Sequence, residues 1–278
     1  MKVSIIVSAY NEENDIAQCI NSLLVQSYKD FEIIVLNDGS TDNTNLTIQQ
    51  FNNNLKIKIF KTKHLGTALA RNYAATKVKG KILVFLDADM VFLPDFINKL
   101  VSPILSGKAR GTFSRLEYVQ NWNEPLARCW NWNNIPKLPD RLRVPVDSVG
   151  EDFRAILKSE FDKVKGFDNV GYNDTWTLKK KLGYGPKAVR KAKYYHKNPQ
   201  TLPEVFSSAQ WMGKRKYKLG NWGNIFAIIR SFILFSIIKG IYKGVIHSEP
   251  RFILFQVVYD LGITKGALSN LFFNDLKK

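Results

Sequence analysis

Cysteine is scarce in this 278-residue sequence, and the two residues present, Cys19 and Cys129, lie far apart. Their separation excludes the close spacing of a cysteine-based metal site and favours reduced thiols, as in cytoplasmic proteins. No signal peptide is evident, because the first apolar run, residues 3–9, is short and acidic residues follow it at once. We therefore expect a cytoplasmic location.

Two common phosphate-binding signatures are missing. Neither of the first two turns between strand and helix carries the GxGxxG fingerprint, and no GxxxxGK[ST] loop occurs. These absences exclude a dinucleotide-binding domain with the usual fingerprint at its first strand and a P-loop nucleotidase. A nucleotide bound by this chain must be held by other groups.

Long uncharged apolar runs are also missing near the carboxyl terminus. Residues 219–229 and 231–238 form uncharged runs of 11 and 8 residues, whereas a membrane span needs about 18. Apolar helices flanked by lysine and arginine favour the membrane interface, with the cations toward anionic headgroups. A helical layer packed on the rest of the protein, or on a partner chain, is the alternative.

Acidic residues are few in the last hundred positions. Residues 1–175 carry 22 Lys and Arg against 20 Asp and Glu, and residues 176–278 carry 19 against 4, so nearly all of the net charge of +17 lies there. Such a basic segment indicates a membrane surface, a phosphorylated substrate or nucleic acid. Because apolar residues are interleaved with the cations, we expect no nucleic acid.

Apolar runs and helical periodicity alternate in the first ninety residues. Apolar runs predict strands at residues 2–7, 31–36 and 82–86, and apolar residues alternating with lysines predict a further strand at 55–60. Their order, with helices between, predicts the α/β class, with a doubly wound, mixed and mostly parallel sheet and flanking helices. We predict one domain over residues 1–220, with a nucleotide-binding half at 1–95 and an acceptor half at 96–220, and a basic amphipathic helical extension at 221–278.

Polar residues gather just past the carboxyl ends of these strands, where open α/β sheets bind ligands. Tyr10 and Asp38 follow the first two strands and predict an aromatic face and an acceptor for a nucleotide base. Asp87 and Asp89 follow the fourth, and strand alternation lets both carboxylates face the same way. Two such oxygen ligands suit Mg²⁺ or Mn²⁺.

Four motifs resemble the nucleotide-binding half of family 2 glycosyltransferases of the GT-A fold. They are VSAYNEE at residues 7–13, LNDGSTD at 36–42, GTALARN at 66–72 and LDAD at 86–89. The resemblance implies an inverting, metal-dependent transfer of one hexosyl unit from a nucleotide-sugar, with a UDP-sugar favoured. It implies Asp89 as the principal metal ligand, with Asp87 as a second.

The resemblance also implies a set of nucleotide-binding residues. They are Ser8, Ala9, Tyr10, Glu12, Asp38, Gly66, Arg71, Asp87 and Ala88. Two members have structural alternatives, because Glu12 also suits a helix start and Arg71 also suits a solvated helix surface.

Residues 161–183 resemble the region of the family that supplies the catalytic base, which corresponds here to Asp174. The chain departs from the pattern, with Lys165 in place of a glycine and Asn173 in place of a glutamate. A helix N-cap is the structural alternative for Asp174, and the acidic pair at 151–152 is its competitor. His196, just after a predicted strand at 187–195, is implied as a further metal or diphosphate ligand.

The stretch at residues 115–143 contains Trp122, Trp130 and Trp132 and predicts either an acceptor-side flap or a packed aromatic cluster. We expect a lipid-linked or cell-surface glycan as acceptor, with residues 221–278 on the inner face of the cell membrane; a homo-oligomer is compatible with the sequence. A polyprenyl-phosphate glycosyltransferase and a non-catalytic nucleotide-sugar or glycan-binding protein are the alternatives.

Overall fold

The computed structural model describes residues 1–134, 142, 152–170, 176–215 and 217–273. These residues form two compact units. The first contains residues 1–118, 152–169 and 176–196, and the second contains residues 119–134, 142, 170, 197–215 and 217–273. Neither compact unit begins or ends at residue 220, where we predict a domain boundary. The predicted domains therefore stay a prediction.

The elements alternate between strand and helix over the first half of the chain and are helical at its end. In chain order they are β1 (Val3–Ala9), α1 (Ile16–Leu24), β2 (Phe31–Asn37), α2 (Thr44–Gln49), β3 (Ile57–Lys61), α3 (Thr67–Ala75), β4 (Ile82–Asp87), β5 (Met90–Phe92), α4 (Phe96–Leu105), β6 (Gly111–Val119), α5 (Pro125–Asn134), β7 (Ala155–Leu157), α6 (Lys158–Lys163), α7 (Thr177–Leu182), β8 (Lys187–His196), α8 (Leu202–Gly213), α9 (Asn221–Arg230), α10 (Ile233–Ile246) and α11 (Phe252–Phe273).

The strands of the described residues form one sheet in the order β3-β2-β1-β4-β7-β6-β8-β5. The pairs β1–β2, β1–β4 and β2–β3 are parallel, whereas β7 runs antiparallel to β4 and β6, and β5 runs antiparallel to β8. The expected α/β class with a mixed sheet is confirmed. All four predicted strands are present, each within two residues of its predicted start.

Most residues of the central strands β1, β2 and β4 are apolar, because helices cover both faces of the sheet. Alternate residues enter two separate cores. Ile5 and Leu86 pack in the core that includes α1 and α4, whereas Ile6 and Phe85 pack in the core that includes α3. This two-sided burial fixes the register, since a shift by one residue would exchange the two faces.

The second unit is helical, and α11 lies at its centre. Phe252 and Phe255 of α11 pack with Val205 of α8 and Trp130 of α5. Helices α8 and α11 approach closely at Gly266, where an added Cβ would lie 2.1 Å from the carbonyl oxygen of Gln210. A glycine is therefore needed at this crossing.

The apolar stretch at residues 225–238 is divided between two helices. Helix α9 ends at Arg230, α10 begins at Ile233, and the pair bends by 61° at this break. Within the described residues, α11 is long and apolar enough by length and composition to cross a membrane, and α9 and α10 pass the same criterion only when the bent pair is taken as one span. The lengths of uncharged runs in the sequence do not reveal α11, because Asp260 and Lys265 interrupt it.

Candidate functional site

The loops that follow β1 and β2 are joined by side-chain bonds. The backbone N–H of Asn11 donates to Ser40 Oγ at 3.0 Å, and Asn11 Oδ1 accepts from the N–H of Thr41 at 2.8 Å. The N–H of Glu12 donates to Thr44 Oγ1 at 2.7 Å, and the Glu12 carbonyl accepts from the N–H of Ile16, where α1 begins. Glu12 therefore contributes to the start of α1, which was the structural alternative to its predicted nucleotide-binding role.

Asp38 is buried at the end of β2 and held from several sides. Its Oδ1 accepts from Thr62 Oγ1 at 2.9 Å and from the N–H of Leu65 at 2.8 Å. Its Oδ2 accepts from the N–H of Gly66 at 2.9 Å, and its own N–H donates to the carbonyl of Ala9 at 2.8 Å. These bonds hold the carboxylate rigidly beside the end of β1.

An aromatic pair stands next to Asp38. The rings of Tyr10 and His64 stack with their centroids 3.9 Å apart, and His64 Nδ1 lies 3.3 Å from Asp38 Oδ2. Gly39 permits this approach, because it has a φ of +77° and an added Cβ would lie 2.6 Å from the His64 backbone nitrogen. The predicted aromatic face thus consists of two rings.

Asp87 lies on the other side of β1, where Ser8 is the register partner of both Leu36 and Asp87. Its Oδ1 accepts from Arg71, and its Oδ2 accepts from Arg154 Nη1 at 3.1 Å. Arg71 is buried, so the solvated-surface alternative for this residue is wrong. Two guanidinium groups therefore surround this carboxylate.

Arg154 adds a fixed positive charge to the site. Burial alone would lower the pKa of its guanidinium, but the surrounding Tyr194, Asp152 and Asp87 outweigh burial and raise the pKa well above its usual value. The group is therefore charged at all physiological pH values. Asp152, a member of the competing acidic pair, has its Oδ2 3.5 Å from Arg154 Nε.

Asp89 belongs to a chain of four polar side chains. Its Oδ2 lies 2.8 Å from His196 Nε2, and His196 Nδ1 lies 2.8 Å from Glu117 Oε1. The hydroxyl of Tyr194 donates to Glu117 Oε2 at 2.6 Å. The intervening Ala88 is buried. Glu117 and Tyr194 thus set the orientation of the His196 ring.

This donor set fits a divalent cation. Within the described residues, no group of three or more His, Cys, Asp or Glu side chains is arranged to enclose a metal ion. However, Mg²⁺ in phosphate-handling enzymes takes only one or two carboxylates from the protein and completes its shell with phosphate and water. A histidine whose second nitrogen is held by a carboxylate is also the usual arrangement of a metal-binding imidazole.

The segment expected to supply the base is described only in part. Asp174 and Asn173 lie outside the described residues, and so does Glu151. Lys165, which replaces the family glycine, has a φ of +57°. Next to it, Asn72 exchanges two 2.9 Å hydrogen bonds with the backbone N–H and carbonyl of Phe167 and joins this turn to α3.

Four residues of the site were not predicted from the sequence: His64, Glu117, Arg154 and Asn72. No local pattern marks Glu117 or Arg154, because each reaches the site through strand pairing between distant segments. Asn72 lies within the GTALARN motif, which was the available signal. His64 lies two positions before the start of that motif.

The tryptophans at 122, 130 and 132 form part of a packed cluster in the second unit. Trp132 stacks on His247 with ring centroids 4.4 Å apart, and Trp130 meets Tyr259 edge-on at 5.5 Å. These contacts favour the packing alternative. The acceptor-side role of the stretch stays a prediction.

The chain is similar to known proteins in its sequence and in its fold. Residues 4–163 match the family model described as glycosyl transferase family 2. Over 120 residues, the chain is 32% identical to the Escherichia coli UDP-Glc:alpha-D-GlcNAc-diphosphoundecaprenol beta-1,3-glucosyltransferase WfgD, covering 43% of this chain and 47% of WfgD. The chain spans from 14% to 47% of the length of such curated relatives.

Two solved structures share the fold. S. aureus TarS 1-349 in complex with UDP-GlcNAc has a TM-score of 0.58 and 14% identity, covering 97% of this chain and 92% of that one. Mannosyltransferase PcManGT from Pyrobaculum calidifontis, in complex with GDP-Man and Mn²⁺, has a TM-score of 0.54 and 19% identity, covering 96% and 74%. The expected GT-A type of fold is confirmed.

Proposed function

The chain belongs to glycosyl transferase family 2, and we propose that it is an inverting, metal-dependent glycosyltransferase that moves one sugar from a nucleotide-sugar to an acceptor hydroxyl. One observation carries the proposal. Asp38, Asp87 and Asp89 lie at the carboxyl ends of two parallel strands beside β1, and His196 joins Asp89 from β8. Such an edge is where open α/β sheets bind their ligands.

The nucleoside would occupy the side of β1 that faces β2. The stacked rings of Tyr10 and His64 offer a flat apolar face for a base, and Asp38 lies directly beside them. Ser8, Ala9 and Gly66, which the resemblance implies as nucleotide-binding residues, would line the same side of the site. We favour a UDP-sugar because WfgD uses UDP-Glc by name and TarS was solved with UDP-GlcNAc.

The diphosphate would lie toward β4. Arg71 and Arg154 are cationic, and Asp87 holds both guanidinium groups in place. Asp87 would therefore hold two cations in position, in addition to its predicted role in nucleotide binding. Preorganised cations stabilise the charge that develops on a departing diphosphate without reorganising during the reaction.

Asp89 and His196 would hold Mg²⁺ or Mn²⁺, which when bound supplies further charge stabilisation for the leaving group. Glu117 keeps the Nδ1 side of His196 occupied, so Nε2 stays directed at Asp89. Tyr194 in turn holds Glu117. These two residues act through His196 and are positioning residues.

The acceptor would be activated by Asp174. Its carboxylate would take the proton of the acceptor hydroxyl while that oxygen forms a bond to the anomeric carbon. The bond from that carbon to the diphosphate breaks on the opposite face, so the configuration inverts and no covalent enzyme intermediate is needed. The departing electron pair remains on the nucleoside diphosphate.

We propose a lipid-linked or cell-surface glycan as acceptor. Support comes from the name of WfgD, which specifies a diphosphoundecaprenol-linked sugar. A polyprenyl phosphate is the second candidate, because that acceptor is already ionised and would need no base.

The test is transfer from UDP-Glc, UDP-GlcNAc and GDP-Man, each with Mn²⁺, onto synthetic polyprenyl-diphosphate sugars and onto polyprenyl phosphate. We expect one donor to be consumed and the anomeric proton of the product to show inversion by NMR. Retention of configuration would contradict the mechanism. Donor binding without turnover on any acceptor would favour the non-catalytic alternative.

A further inference from the structure

Helices α9 and α10 present an apolar surface to solvent. In α10, nine of the 14 residues are exposed, and all nine are apolar or tyrosine. Trp222 and Phe226 of α9 are exposed as well, at 68% and 52%. We call the exposed side chains of Trp222, Phe226, Phe235, Ile238, Tyr242 and Val245 the apolar face.

The opposite side of α10 is already occupied within the second unit. Ser236 donates to Asp260 Oδ2 of α11 at 2.7 Å, and Lys243 bonds Asn133 of α5. Gly240 lies against α11 so closely that an added Cβ would be 2.7 Å from the Cα of Ile253. These contacts fix the orientation of α10. Its apolar face therefore points away from α11 and toward solvent.

The exposed charges near the apolar face have one sign. Between residues 217 and 273, the acidic side chains are Glu249 and Asp260. Both are buried, Glu249 with Arg128 at 3.0 Å and Asp260 with Lys239 and Ser236. The exposed charges of this segment are thus all positive: Lys218, Arg230, Arg251 and Lys265.

From these observations we propose that the apolar face docks onto a lipid bilayer whose surface carries anionic headgroups. Apolar side chains of this size enter the boundary between headgroups and acyl chains, while the surrounding cations attract the anionic surface. The exposed Trp222 and Tyr242 have the amphipathic rings that are enriched at this depth. A symmetric pair of chains would instead bring the same cations toward one another.

The geometry favours lying on the membrane over crossing it. At about 1.5 Å per residue, the 14 residues of α10 extend about 21 Å, less than the roughly 30 Å of a hydrocarbon core. The 61° bend at residues 231–232 prevents α9 from extending it in a straight line. Helix α11 has Asp260 bonded near its middle and is packed on α8 and α5 along one side.

Vesicle flotation of the full chain tests this proposal. We expect flotation with phosphatidylcholine vesicles that contain phosphatidylglycerol, and much weaker flotation with phosphatidylcholine alone or in high salt. Replacing Phe235 and Ile238 together by serine should lower vesicle affinity about tenfold or more, since two exposed apolar side chains that would enter the bilayer are lost. In the matched control, serine replaces Leu46 and Leu55, two leucines of the first unit that are exposed at 67% and 102%. This change should leave flotation unchanged.

A charge variant separates the two contributions. Arg230→Gln with Arg251→Gln should lower the preference for anionic vesicles roughly 30-fold, since each cation near the surface contributes about 1 kcal/mol and about 1.4 kcal/mol is a factor of ten. No flotation with either vesicle, or flotation unaffected by the Phe235 and Ile238 change, would overturn the proposal. Self-association that this change abolishes, without vesicle binding, would assign the face to a second copy and also overturn it.

The inference does not depend on the proposed glycosyl transfer. Nucleotide binding measured on the same samples distinguishes the two failures, because the substituted side chains belong to the second unit and the nucleotide-binding residues to the first.

Discussion

His196 lies 107 residues from Asp89 in the chain, yet its Nε2 atom is 2.8 Å from Asp89 Oδ2. The pairing of β5 with β8 causes this proximity, since Met90 is the register partner of His196. Glu117 holds the other ring nitrogen from β6. The turn between β4 and β5 and the strands β8 and β6 therefore bring a carboxylate, an imidazole and a second carboxylate into contact.

Glu117 is expected to control metal affinity through His196. Glu117→Gln keeps the size of the side chain but presents an amide to Nδ1, so the preferred orientation and tautomer of His196 are lost. Mn²⁺ affinity, measured by titration with electron paramagnetic resonance, should fall about 10- to 100-fold. The control is Glu160→Gln, because Glu160 also accepts from a tyrosine hydroxyl, that of Tyr184, at 2.7 Å. Equal Mn²⁺ affinity in the two variants would refute this role.

Asp174→Asn is expected to separate binding from chemistry. The amide cannot take a proton from the acceptor, so kcat with a hydroxyl acceptor should fall about 10²- to 10⁴-fold. The affinity for the nucleotide-sugar should stay within about twofold of that of the native chain. Undiminished transfer would show that the acceptor needs no base and would favour a polyprenyl phosphate.

Lys165 occupies a backbone conformation that favours glycine, with a φ of +57°. Lys165→Gly removes a steric cost of about 1–2 kcal/mol but increases the freedom of the unfolded chain. We expect a net gain of up to about 1 kcal/mol in the free energy of unfolding, seen as a higher urea midpoint. Lys163→Gly, in the last turn of α6, is the control and should lower stability by a similar amount. A loss of stability in Lys165→Gly would contradict the steric account.

Glu32 is expected to contribute to stability in a pH-dependent way. Burial alone would raise the pKa of its carboxyl, but bonds from Lys58, the Lys79 N–H and Ser4 outweigh burial and lower the pKa. A lowered pKa in the folded state means that the stabilisation is complete above the unfolded value of about 4.3 and is lost as the pH falls through the folded value.

Urea unfolding between about pH 7 and pH 3 measures this contribution. Glu32→Gln should cost about 2 kcal/mol near neutral pH and show a shallower loss of stability in acid. Glu124→Gln, which changes an exposed carboxylate, should follow the native curve. A Glu32→Gln curve parallel to the native one would show that this carboxylate is not the source of the acid sensitivity.

The parts of the fold that follow local rules were predictable from the sequence. Strands β1, β2 and β4 consist mostly of apolar residues that are buried between two helical layers, and β3 alternates apolar residues with lysines. Strands β5 and β7 have three residues each and exist because distant partners lie beside them. Their sequences carry too few residues to show a period.

The candidate site was likewise only partly predictable from the sequence. Asp38 and Asp87 lie at the ends of predicted strands, so their location followed from topology. Arg154 reaches the site because β7, which it directly precedes, pairs with β4, and Glu117 reaches it because β6 lies beside β8; no local pattern in the sequence predicts either contact. The break between α9 and α10 has no sequence signal, because Ser231 and Phe232 have no helix-breaking character of their own.

The most direct test of the central claim is calorimetric titration of UDP and GDP into the native chain and into Asp89→Ala, each with Mn²⁺ and with a chelator. We expect one nucleotide to bind in the presence of Mn²⁺, and the affinity to fall at least about tenfold with the chelator or with the substitution. If neither nucleotide binds when Mn²⁺ is present, or if Asp89→Ala binds as tightly as the native chain, the proposed metal-dependent nucleotide site is wrong.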